Sequence, residues 1–64
     1  MSFFDIITKV GTSTISSDDA IIKLLEDVQK DFNVSWFEVQ EIRGRITSDK
    51  KIEFQVTLKI GIKK

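Results

Sequence analysis

From Ile52 to Lys63 apolar and polar residues alternate without a break. Ile52, Phe54, Val56, Leu58, Ile60 and Ile62 fall on one face, and Glu53, Gln55, Thr57, Lys59, Gly61 and Lys63 on the other. A two-residue period predicts a strand with one buried and one polar face. Phe3 to Val10 is β-branched and aromatic and predicts a strand that stops at Gly11. Its alternation is imperfect: Phe3 and Ile7 share a face with Asp5 and Lys9, so both faces are expected to be partly covered.

Between these strands the period changes. In "GTSTISSDD" (Gly11 to Asp19) a turn leads into a helix start, with Ser16 or Ser17 as the cap and Asp18 and Asp19 placed where the helix dipole favours negative charge. Ile21, Leu24, Leu25, Val28 and Phe32 then recur at helical spacing and predict one buried stripe. Lys30 lies towards the C-terminal end, where a cation is favoured, and Asn33 is the exit residue. Val34 to Thr47 reads as a long second strand. Phe37 and Val39 fall on one face; Trp36, Glu38 and Gln40 fall on the other. The next apolar residue after Val39 is Ile42, three positions on, and this phase shift predicts a β-bulge or bend near Gln40 and Glu41. "TSDKK" (Thr47 to Lys51) is a polar turn.

The predicted order is β-α-β-β. A crossover helix leaves the first two strands parallel in direction, and the third, returning from a hairpin, fits between them antiparallel to both. The expected fold is therefore α+β, a three-stranded antiparallel sheet partly wrapped around one helix.

Length sets a limit on this picture. A chain of 64 residues is expected to form a single domain, residues 1–64. At this size folding buries only ~60% of the unfolded surface. With no Cys and no His, disulfides and most transition-metal sites are excluded, which leaves oligomerisation as a route to extra stability. Ten basic and ten acidic residues give zero net charge, without the basic excess of a nucleic-acid binder. No apolar run approaches the ~18 residues of a membrane span. "MSFFDIITKV" carries Asp5 and Lys9 and no basic leader, so it does not read as a signal peptide. A cytoplasmic location is the expectation.

The usual nucleophile–base pairs need His or Cys, so an enzyme is not expected. Asp18 and Asp19 read as dipole partners at a helix start, and "VGTST" lacks the lysine and spacing of a phosphate-binding loop. Trp36 is the candidate that remains. It is the lone tryptophan and sits on the charged face. It reads either as a platform for a planar ligand or as a rim or subunit-contact residue, since tryptophan offers flat amphipathic area for both. Gln55 lies on the polar face of the neighbouring strand and is expected close to the Trp36 ring; its amide donates and accepts at once, as a uracil-like edge requires. Arg43 and Arg45 supply donors for carbonyl or phosphate groups, or pair with Glu41 and Glu53 as solvated strand charges.

Together, "VGTS", "DDAI", "WFEVQEIRG" and "FQVTLKIG", from Val10 to Gly61, resemble the dodecin family of small flavin-binding proteins that form hollow dodecamers. The resemblance implies that Trp36 stacks on an isoalloxazine ring, that Gln55 hydrogen-bonds its pyrimidine end, and that Arg43 contacts the flavin. It further implies sites on two-fold axes, with two flavins stacked between tryptophans of different subunits. The expected function is storage or sequestration of flavin mononucleotide or riboflavin, limiting free-flavin photochemistry. Lumichrome and flavin adenine dinucleotide are further candidate guests. The alternative is a dodecin-like shell that binds coenzyme A or no flavin. Asp5, Ile6 and Lys9 in the first strand and the "GIKK" ending depart from the family's usual pattern.

Overall fold

The computed structural model describes residues 3–64; Met1 and Ser2, the start of the N-terminal stretch read above, lie outside it. Strand β1 (Phe4–Ser13), helix α1 (Ser17–Val28), strand β2 (Val34–Ile46) and strand β3 (Ile52–Lys63) follow in that order. The sheet order is β1-β3-β2, with β3 antiparallel to both neighbours. This is the expected three-stranded sheet with one helix against it.

The alternation of β3 builds the core. Val56, Leu58 and Ile60 are fully inaccessible and Ile62 is nearly so; with Ala20 and Val28 of α1 they form the buried cluster. Each large side chain buried this way contributes ~1.5–3 kcal/mol. Ile7, Ile21, Leu24, Leu25 and Val34 pack around the cluster. Ile52 and Phe54 continue the same face, but Ile52 is exposed and Phe54 half-buried, because α1 packs on β1 and β3 without reaching the hairpin end.

Gly11 was expected to end β1. Instead β1 runs through it to Ser13, with Gly11 opposite Val56. A Cβ there would lie 3.0 Å from Leu24 Cβ and 3.2 Å from the Ala20 carbonyl oxygen. The glycine is needed for close approach of α1 to the strand, not for a turn. Ser16 is the helix cap: its Oγ accepts from the Asp19 N–H at 2.9 Å. Ser13 Oγ donates to Asp19 Oδ2 at 2.6 Å, and with Lys23 3.2 Å away this holds the Asp19 carboxyl below its ordinary 3.8. The helix closes at Val28, so Phe32 and Lys30 belong to the turn that follows, both exposed, rather than to the helix's stripe and last turn.

The β2–β3 register shifts twice. Gln40 is the extra residue between the Val39–Leu58 and Glu41–Thr57 pairs, where the sequence predicted a bulge. Ser35 is a second, between the Val34–Ile62 and Trp36–Gly61 pairs. That second shift sends Val34 to the core face and Trp36 to the opposite face, although only two positions separate them.

In the hairpin loop, Thr47 N–H donates to the Lys51 carbonyl at 2.8 Å and Lys50 N–H to the Thr47 carbonyl at 2.9 Å. Closing it places Lys50 at φ 64°, where a Cβ is disfavoured. Lys50→Gly is expected to stabilise the protein by up to about 1 kcal/mol, the removed strain exceeding the added chain entropy. A rise in the denaturant midpoint at unchanged slope checks this. Among the described residues no helix is long and apolar enough to cross a membrane.

Candidate functional site

The sheet has two faces of different character. Residues opposite one another share a face, so Phe37, Val39, Ile42 and Ile46 of β2 lie on the core side with Ile60, Leu58, Val56 and Ile52. The helix does not cover them: Phe37 is 46%, Ile42 56% and Ile46 66% exposed. The other face carries the candidate ligand residues. There Trp36 stands opposite Gly61, Glu38 opposite Lys59, Glu41 opposite Thr57, Arg43 opposite Gln55 and Arg45 opposite Glu53.

Trp36 leans from edge strand β2 over the central strand. A Cβ built on Gly61 would lie 2.2 Å from Trp36 Cε2, 2.3 Å from Nε1 and 2.7 Å from Cδ2. Cε2 is a ring-fusion atom with three ring neighbours, so such proximity comes through a face of the indole and not its edge. One face therefore rests on the backbone of β3, and the residue remains 39% exposed. The geometry gives an aromatic plane seated on the sheet and open outward. Gly61 did not stand out in the sequence as a site residue. Its signal was a glycine in the interior of a strictly alternating strand, a mark of close approach by another group.

Arg43 and Gln55 are cross-strand neighbours at the far end of this face. Arg43 lies 3.6 Å from Glu41, both largely exposed, a loose pair of little energetic weight. Arg45 Nε donates to Glu53 Oε1 at 2.7 Å, which raises the guanidinium pKa further. The strand-charge reading of Arg45 thus has a defined partner in the chain.

The four candidates do not form one cluster. Gln55 and Gly61 are six positions apart on β3, or roughly 20 Å at ~3.3 Å per residue. A flavin-sized ring centred on Trp36 falls short of the Gln55 amide of the same chain. The sequence placed both on one face of neighbouring strands, which is where they are, but they lie at opposite ends of it. Among the described residues no group of His, Cys, Asp and Glu side chains is placed to hold a metal ion.

The dodecin family model matches residues 4–63. The chain belongs to the dodecin family. Membership supports, in general terms, a small dodecameric flavin-binding protein. The dodecin of Thermus thermophilus is 40% identical over 55 residues, spanning 84% of this chain and 80% of the relative. The crystal structure of an arginine-to-alanine mutant of the T. thermophilus dodecin superimposes with a TM-score of 0.89 at 34% identity, covering 100% of this chain and 96% of the other. The dodecin from Streptomyces davaonensis gives a TM-score of 0.89 at 31% identity, covering 98% and 94%. A tryptophan-to-phenylalanine mutant of the T. thermophilus dodecin has also been solved, with the same TM-score at 32% identity.

Proposed function

We propose that this chain assembles into a hollow homododecamer that sequesters flavin mononucleotide or riboflavin in the cytoplasm, as a binding protein and not an enzyme. The observation that carries the reading is Trp36: one indole face is seated on Gly61 and the other is open, in a chain of the dodecin family. An isoalloxazine stacks on the open face, as planar heterocycles do on aromatic side chains. Excited flavin accepts an electron from the adjacent indole, which quenches its emission and limits its photochemistry. Gln55 and Arg43, a cross-strand pair, approach the pyrimidine end from another subunit; Arg45 adds a donor at the same end.

The uncovered core-side face of β2 supports assembly independently of any ligand. Phe37, Val39, Ile42, Ile46 and Ile52 form one apolar surface that the chain's own helix leaves open. The same surface supports the second reading, a shell that binds coenzyme A or no flavin. The absorption spectrum of the purified protein separates the two. A yellow preparation with a flavin spectrum supports sequestration, and a colourless one that takes up no added flavin supports the bare shell. Sustained turnover of a nicotinamide donor by the flavin-loaded protein would contradict the non-enzymatic reading.

Gln55→Leu keeps similar bulk but leaves ring carbonyl and N–H groups without partners. An unpaired buried polar group costs ~1–3 kcal/mol, so riboflavin affinity is expected to fall roughly ten- to a hundredfold. Fluorescence titration checks this, and unchanged affinity would remove Gln55 from the ring edge.

A further inference from the structure

Gly61 has no conformational reason to be glycine. None of the glycines among the described residues has positive φ, and a glycine inside a central strand weakens it. On the outward face of β3 it is the one position without a side chain in a row of Glu53, Gln55, Thr57, Lys59 and Lys63. The space a Cβ would take is filled by the indole, whose atoms are the three nearest to it. We propose that Gly61 is the positioning residue for the ligand platform: it is the seat that fixes the height and tilt of Trp36 above the sheet. The proposal rests on the flavin reading for its ligand and on the Gly61–Trp36 geometry for its mechanism.

Ordinary carbon contacts begin near ~3.5 Å, so a methyl group whose carbon lies 2.2 Å from Cε2 must lift the indole by ~1 Å or more, or rotate it to another rotamer. Seated on backbone, the ring has little freedom on its inner side and is held ready for a ligand on its outer side. A platform ordered before binding loses less entropy when the ligand arrives. Where two such platforms face each other across a stack, their seating also sets the gap between them. A shift of both rings then narrows the slot from both sides.

The test compares the parent, Gly61→Ala, Trp36→Ala and the double variant. In the flavin-free protein, Gly61→Ala is expected to change the near-ultraviolet circular dichroism of the lone tryptophan and to lower the thermal midpoint. In the Trp36→Ala background the same alanine should leave the midpoint unchanged or raise it. With oligomeric state unchanged, Gly61→Ala should weaken riboflavin binding by roughly tenfold or more. Should Gly61→Ala fail to fold, recovery of folding in the double variant supports the seat, and failure of both overturns it. An unchanged indole signal, an equal midpoint loss in both backgrounds, or parent-like riboflavin affinity would also overturn it. If the parent itself binds no riboflavin, the flavin reading falls separately, and the dichroism and midpoint measurements still decide whether Gly61 seats the indole.

Discussion

Trp36→Ala is expected to abolish most flavin binding while leaving the assembly intact. The residue lies on the sheet face away from the core, with one indole face on Gly61 and the other open, so its removal exposes backbone but opens no cavity in the Val56–Leu58–Ile60 cluster. Stacking a base on an aromatic side chain is worth ~1–3 kcal/mol, and a tricyclic flavin presents a larger face. If each site uses two symmetry-related tryptophans, one substitution removes both walls. The loss per site then approaches twice the single-wall value, to the extent that such terms add. Emission of any residual bound flavin should recover, because its electron donor is gone. Size-exclusion chromatography and flavin fluorescence on one sample check both halves. A variant that falls apart identifies Trp36 as an interface anchor. An intact variant that binds and quenches flavin like the parent rules out the platform.

The second large effect concerns assembly. Ile42 is on the core side of β2 yet more than half exposed within one chain. Ile42→Asp should therefore change the stability of the isolated subunit little, as exposed substitutions generally do. In an assembly that buries this face, the same carboxylate would be desolvated without a partner, which costs several kcal/mol per copy. Repeated around a closed shell, that penalty is expected to convert dodecamer to monomers or small oligomers, with flavin binding lost as a consequence. Native mass spectrometry reads the outcome directly. A dodecamer of Ile42→Asp with parent-like stability would place the subunit contacts elsewhere.

The two mutants also show what the residue pattern conveys and what it hides. The alternation of β3 was legible because every second residue from Ile52 to Ile62 is apolar, although within the chain that face is buried only from Val56 to Ile62. The bulge at Gln40 was legible because it breaks the apolar phase between Val39 and Ile42. The bulge at Ser35 was not, since Val34 and Trp36 are both apolar and their separation onto opposite faces leaves no mark on the pattern. Gly11 misled for a related reason: a glycine at the end of an apolar run signals a turn as readily as close helix packing, and the helix that decides the matter is remote in sequence. Phe32 continued the helical spacing past the point where the backbone leaves the helix.

At the candidate site, the sequence placed Trp36 and Gln55 on the polar face of neighbouring strands, and the register puts them there and adds Arg43 and Arg45 to the same face. Their distance along that face depends on pairing partners that periodicity does not supply. Register alone revealed that Trp36 sits opposite Gly61 and that Gln55 is paired with Arg43 at the other end. The division of the proposed flavin site between subunits follows from that separation.

The open tryptophan platform of this chain is expected to hold flavin and quench it. Titrating riboflavin with the purified protein while following flavin emission tests it most directly. Strong quenching that saturates near one flavin per chain is expected, together with loss of intrinsic tryptophan emission. Riboflavin emission that stays unchanged through micromolar concentrations of the assembled protein would contradict it.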